Sequence, residues 1–572
     1  MNKYKRYIVI FLAACMVLTT ACGSTGNGQP MDAESGQNTS VTGDGGDGAE
    51  NSLDDTQPDI TDTIPLNVID DNYRTYYEVF VYSFCDSDGD GIGDLQGLIS
   101  KLDYINDGDD TTDTDLCCNG IWLMPVHPSP TYHKYDVVDY YDIDPAYGTL
   151  EDFKEFLAAC EDREIKVIMD LVINHSSSQH PWFKEACAYL RELGDGEPNV
   201  EDCPYVDYYH FSRENAPGYS KVAGADWYYE AQFWSEMPDL NLGSEALREE
   251  IEQITKYWLD MGVGGFRLDA VKEYYSGDAP ANIEVLSWFT EVVKSQKADA
   301  YLVGEAWANM SEYSKYYSSG MDSLFDFAFA DAEGIIAKTL KSTSTQRYGE
   351  TVASLQETFG AYNADYIDAP FYTNHDMGRS AGYYVGTNSE AQTKLAGALN
   401  LFMSGSAFLY YGEELGMRGA GKDENKRAPM YWSKDAEKDG MCDGPADMDD
   451  FEMIYDSLEE QEQDDSSIYQ FYKKVIKIRN QNPEIARGDV AYLSDIPGER
   501  FCVLKKTWEG SEVLVIFHIG EETEELDVSS LALNGAGISS DSVRGVLETG
   551  TEKITVEDGK VTMPGFSALV LK

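Results

Sequence analysis

Four segments of the chain end in side chains suited to acid, base or nucleophilic work on an acetal: Asp170-Leu171-Val172-Ile173-Asn174-His175, Gly265-Phe266-Arg267-Leu268-Asp269, Gly304-Glu305-Ala306-Trp307 and Thr373-Asn374-His375-Asp376. Two opposed carboxylates are what glycosidic cleavage requires, one to attack or to activate water and one to protonate the leaving oxygen. Arg267 precedes Asp269 by two residues, so in a strand both side chains point to one face and the guanidinium keeps the carboxylate ionised. Glu305 follows an apolar run beside Ala306 and Trp307, where loss of water favours the protonated form and suits it to be the acid. Any one of these residues has an ordinary structural use, an Asp at a strand end as a helix cap and an Asn-His pair as a loop fastener. Their recurrence at the ends of successive apolar runs carries the reading.

For such residues to converge, the runs must be neighbouring strands. The apolar stretches at 78–83, 120–125, 166–171, 265–269, 301–305, 324–328, 370–374 and 407–411 are near-continuous, the signature of strands covered on both faces. Eight of them with helical segments between predict a (β/α)₈ barrel, whose catalytic groups stand at the C-terminal strand ends. Leu247, Ile251, Ile254 and Trp258 predict a helix opened at Ser244 and stopped by Gly262. The predicted organisation is a signal segment at 1–21, a polar tether at 22–70, a barrel from 71–175 and 244–482, an inserted domain at 176–243, and a C-terminal antiparallel β-sandwich at 483–572. Trp182, Trp227, Tyr228 and Trp234 in the inserted region are candidates for stacking on sugars.

At 572 residues, with 43 Lys and Arg against 102 Asp and Glu, the chain carries a net charge of −59, which disfavours nucleic acid as a partner. Lys3, Lys5 and Arg6 precede an apolar run, too short to span a bilayer, that ends Leu18-Thr19-Thr20-Ala21-Cys22. Small residues before a Cys are similar to a bacterial lipoprotein cleavage site, which makes Cys22 the expected lipidated residue, anchored to the outer face of the cell membrane; secretion without an anchor is the alternative. The Cys residues that follow Cys22 show no paired metal spacing. A monomer is expected. Asp86-Ser87-Asp88-Gly89-Asp90-Gly91-Ile92-Gly93-Asp94 places oxygens at alternate positions with glycines for the turn, as Ca²⁺ requires.

In order and spacing the four segments resemble the signature regions of the α-amylase family, glycoside hydrolase family 13, and Met237-Pro238-Asp239-Leu240-Asn241 resembles its fifth; the resemblance spans about Tyr76 to Lys572. It implies Asp269 as nucleophile, Glu305 as acid and then base, and Asp376 as a carboxylate gripping sugar hydroxyls in the transition state. Arg267, His175 and His375 would hold the nucleophile and the sugar, Tyr135 would stack under that sugar, and Asp136 would contact its far hydroxyls. Lys134 stands where the family usually has Gly, and Glu273 where it often has His. Lys272, after Ala270-Val271, resembles the α-amylase version and would reach the leaving-group side. The acidic loop resembles the calcium loop of relatives in the family, with Asp86, Asp88, Asp90, the Ile92 carbonyl and Asp94 as ligands. The implied activity is retaining cleavage of α-1,4 bonds in starch or maltooligosaccharides without an organic cofactor. An oligo-1,6-glucosidase-like enzyme or a transglycosylase on the same site is the enzymatic alternative. A catalytically dead glucan-binding lipoprotein is the non-enzymatic one, against which the intact acids argue.

Overall fold

The computed structural model describes residues 60–66, 69–496 and 498–572. The predicted signal segment, Cys22 and most of the tether lie outside the described residues.

Short parallel strands form the centre: β1 (Thr75–Val79), β2 (Gly120–Leu123), β3 (Lys166–Leu171), then, after an excursion carrying β4 (Phe211–Ser212), β5 (Tyr219–Lys221) and β6 (Tyr228–Glu230), β7 (Gly265–Leu268), β8 (Tyr301–Gly304), β9 (Ser323–Leu324) and β10 (Ala407–Tyr410). Their order around the sheet is β10-β1-β2-β3-β7-β8-β9. The run at 370–374, read as the seventh barrel strand, forms no ladder, and Pro370 supplies no N–H to one. Single parallel bridges stand there instead, Phe325 with Ala369 just before the run and Phe371 with Phe408, and these join β9 to β10 and close the ring.

Bulky side chains from successive strands fill the interior. Tyr76 stacks on Tyr301 at 5.2 Å and on Phe408 at 5.0 Å, with Trp122, Ile168 and Phe325 in the same buried cluster. Such filling leaves no room for a side chain where strands approach most closely. A Cβ on Gly120 would stand 2.5 Å from the Tyr76 ring, and one on Gly265, at φ +151°, would stand 1.9 Å from the Tyr301 carbonyl oxygen.

Outside the ring, the helix Glu245–Met261 is opened by the Ser244 side chain, which accepts from the Leu247 amide, and ended at Gly262 with φ +122°. Its buried stripe of Leu247, Ile251, Ile254 and Trp258 feeds the chain into β7. The excursion between β3 and β7 contains the helix Pro181–Leu193 and the small sheet β4-β6-β5. It is fastened to the barrel where Leu240 N donates to Asn174 O at 2.9 Å and Ser176 N to Pro238 O at 3.1 Å.

After the helix Ile468–Gln481 the chain becomes antiparallel, with a five-stranded sheet running over 489–571 and a three-stranded sheet beside it. Alternation assigns the faces. Phe501, Val503, Leu514 and Ile516 pack toward the three-stranded sheet, while Cys502, Leu504, Val515 and Phe517 join the barrel's main core. Among the described residues no helix is long and apolar enough to cross a membrane.

Candidate active site

Arg267 is the hub of the mouth. Its side chain is wholly buried, Nη1 donating to Asp170 Oδ2 at 2.8 Å and Asp269 Oδ1 at 2.8 Å, and Nη2 to Glu305 Oε2 at 2.6 Å. The guanidinium also lies over Trp122, 5.2 Å from the ring centre. One positive charge faces three carboxylates, so the cluster favours keeping a proton. Burial raises Asp170 to about 6 and Glu305 to about 7, although Arg267 opposes both shifts. The Ala270 amide also donates to Glu305 Oε2, at 3.3 Å, which leaves Oε1 to carry that proton. Ala270 reaches this position with φ +47°, a conformation that is costly for a residue with a Cβ.

Asp376 stands across the mouth, its side chain a third exposed, with Oδ1 2.8 Å from Arg427 Nη2 and Oδ2 3.2 Å from His375 Nε2. His375 is buried, reaching Glu78 Oε1 through Nδ1 at 2.6 Å and the Tyr135 hydroxyl through Nε2 at 2.7 Å. The Tyr135 and His375 rings stack at 5.5 Å. His175 Nδ1 lies 3.2 Å from Asn174 Nδ2; its Nε2 has no protein partner, and burial holds the ring below its usual pKa.

Asp269, Glu305, Asp376, Tyr135, His175 and Lys272 line one cavity of about 540 Å³, together with Phe233, Met237, Trp307, Asp423 and Arg427. Arg267 and His375 stand behind its wall. Lys272 Nζ is 3.3 Å from Glu273 Oε1. A larger cavity, about 880 Å³, opens beside Arg74, Asn119 and Glu164, at the opposite ends of the strands. It lacks any comparable convergence of acids on one guanidinium.

Asp136 departs from its expected place. It is fully enclosed, its Oδ1 accepts from Ser129 at 2.7 Å and from Thr131, and it does not reach the cavity. Oδ1 shapes the turn that presents Tyr135, while Oδ2 is buried without a hydrogen-bond partner. Lys134 adopts φ +66°, the left-handed region where glycine is at ease, and its ammonium is bound by Asp144 at 2.8 Å. Of the four aromatics singled out in the excursion, Trp227 is buried under Arg213 and Trp182 packs against His180 and Tyr140. None of the four, Tyr228 and Trp234 included, lines the cavity; beside Tyr135 and the histidine rings, the aromatics that do are Phe233 and Trp307, the latter stacked on Phe327 at 5.2 Å.

Sequence reading missed Glu78, Arg427 and the depth of Asp170. Arg427 lies beyond the eighth strand among Arg418, Lys422 and Lys426, and nothing in its neighbours distinguishes it.

The acidic loop gathers carboxylate oxygens of Asp86, Asp88 and Asp94 within 4.8 Å of one another. Asp86 accepts from the amides of Asp88, Gly89 and Gly91, and Asp94 from those of Ser87 and Gly97, with Gly89 and Gly91 at positive φ. Asp90, expected as a ligand, is not in that group; its Oδ1 accepts from the Ile92 amide at 2.8 Å.

The family described as "Alpha amylase, catalytic domain" matches residues 78–488. Alpha-amylase 3 of Dictyoglomus thermophilum is 38% identical over 472 residues, 79% of this chain and 88% of that protein. Glucan 1,6-alpha-glucosidase of Streptococcus pneumoniae is 30% identical, covering 79% of this chain and 92% of its own length. Among solved structures, Amy13B of Eubacterium rectale superimposes with a TM-score of 0.86 at 50% identity, over 90% of this chain and 98% of that one. With the barrel, the acids at its mouth and these likenesses together, the chain belongs to the alpha-amylase family of glycoside hydrolases.

Proposed function

We propose that the protein is a retaining glycoside hydrolase that cleaves α-1,4-glucosidic bonds of starch or maltooligosaccharides. The observation that carries this reading is the single guanidinium of Arg267 holding Asp269 and Glu305 side by side at the rim of the cavity that Asp376 faces from across the mouth. Asp269 attacks the anomeric carbon while Glu305 gives its Oε1 proton to the departing glycosidic oxygen, leaving a β-glucosyl ester. The charge of Asp269 is one of the causes that keep Glu305 protonated. Once Asp269 is esterified that charge is gone, the acidity of Glu305 rises, and the same carboxylate accepts a proton from water for the second displacement. Two inversions give net retention.

Exo-acting α-1,6 cleavage or glycosyl transfer on the same ester is a second reading, favoured by the likeness to a glucan 1,6-alpha-glucosidase. Product profiles on maltoheptaose, amylose and isomaltose separate the two. Maltooligosaccharides released first as the α-anomer support the proposal; glucose from isomaltose with amylose intact overturns it.

Asp86, Asp88 and Asp94 fit a calcium ion, since the exposed carboxylate of Asp88 meets those of the more deeply set Asp86 and Asp94 in a loop that supplies backbone amides but no ammonium or guanidinium to them. Such an ion would fasten the loop after β1 without entering the chemistry. The basic and apolar leader and Cys22 support export and anchoring at the outer face of the cell membrane.

A further inference from the structure

We propose that Glu78, on β1, is a positioning residue that holds a second proton on His375, so that His375 faces Asp376 as an imidazolium. The inference deepens the reading above and comes from counting hydrogens. Arg427 fixes Asp376 as a carboxylate, which can only accept, so His375 Nε2 at 3.2 Å from Oδ2 must carry a hydrogen. The Tyr135 hydroxyl donates its one hydrogen to Asp170 Oδ2 at 3.1 Å, so at 2.7 Å it receives from that same Nε2. A neutral ring would then have a bare Nδ1, yet Nδ1 lies 2.6 Å from Glu78 Oε1, a contact that needs a hydrogen between the two atoms.

Glu78 and His375 are each about 1% exposed, so the hydrogen sits on one of the two; burial raises Glu78, but the His375 and Arg267 charges pull it back down, which places the hydrogen on Nδ1. The groups whose charge bears on the ring are Glu78 from β1, Tyr135 from the loop after β2, Asp170 from β3, Arg267 from β7, Glu305 after β8, and Asp376 with Arg427 at the mouth. Burial pulls His375 down, but Asp376 and Glu78 outweigh it and raise it to about 9. The charge matters because Asp376 must stay ionised to grip sugar hydroxyls while its neighbours pass through changes of charge.

Nitrogen-15 spectroscopy of the full-length protein, which has seven His, reads the ring directly and needs no activity, so it stands even where the function reading fails. The expected result is one imidazolium with both nitrogens protonated up to about pH 8, and its loss in Glu78→Gln. A neutral His375 at pH 7 in the wild type overturns the proposal, whether or not the variant folds. In kinetics on maltohexaose, Glu78→Gln is expected to bring the alkaline limb of kcat down by about one pH unit, roughly a tenfold loss above it, with activity recovering in acid. An unchanged profile in a folded Glu78→Gln overturns it equally.

Discussion

The barrel mouth and the loop after β1 are built from the same group, the carboxylate, and treat it in opposite ways. At the mouth, Asp170, Asp269 and Glu305 share the Arg267 guanidinium, and Asp376 is bound by Arg427 and His375. In the loop, Asp86 and Asp94 are met by amides and by Ser87, with Asp88 drawn in beside them. Amides orient a carboxylate but do not neutralise it. A cluster neutralised from within is ready for a neutral sugar and for moving protons, whereas one left negative is ready for a cation. The environment, and not the count of acids, assigns the role.

That contrast predicts two separable failures. Asp269→Asn is expected to cost about 10³-fold or more in kcat/KM on maltooligosaccharides while leaving the melting midpoint unchanged or higher, since one of three carboxylates competing for one guanidinium becomes neutral. Reducing-sugar assays and calorimetry on one preparation check it, and activity surviving in the variant would remove the nucleophile. Chelation, or Asp88→Asn, is expected to do the reverse. An ion held at a hundredfold excess over its dissociation constant stabilises by about 2.7 kcal/mol, a shift of a few degrees, with turnover at 25 °C altered less than about twofold. A midpoint indifferent to both chelator and added calcium would break the comparison.

The sequence makes one of these regions far more legible than the other. The acids at strand ends, the helix between Ser244 and Gly262 and the alternation of the loop are local signals, each carried by a few consecutive residues. The ring itself follows from repeated apolar runs. What escapes local reading is contact across the chain. Glu78 meets His375 from 297 residues away, and Arg427 meets Asp376 from 51. Asp136 stands next to Tyr135 in a family pattern, but whether it faces sugar or the underside of its own turn depends on Ser129 and Thr131 closing over it. Run 370–374 has the composition of a strand, and only its neighbours' register shows that it bridges without pairing at length.

The smallest expected effect sharpens the contrast within the mouth itself. Glu305 is raised to about 7, chiefly by burial, above the unfolded carboxyl value near 4.3. A folded-state value raised in this way gives stability that is complete below the unfolded value and lost as pH rises through the folded one, because the native protein must surrender a proton that its site favours. Glu305→Gln cannot ionise and escapes that loss. Its stability relative to wild type, read from the melting midpoints, is therefore expected to climb between pH 5 and pH 8 by an amount on the order of 2 kcal/mol. Paired melting curves at the two pH values measure it. A difference that stays flat across the range would mean that Arg267 fully compensates the buried charge, and the protonated acid that the first chemical step needs would then have to come from elsewhere than desolvation.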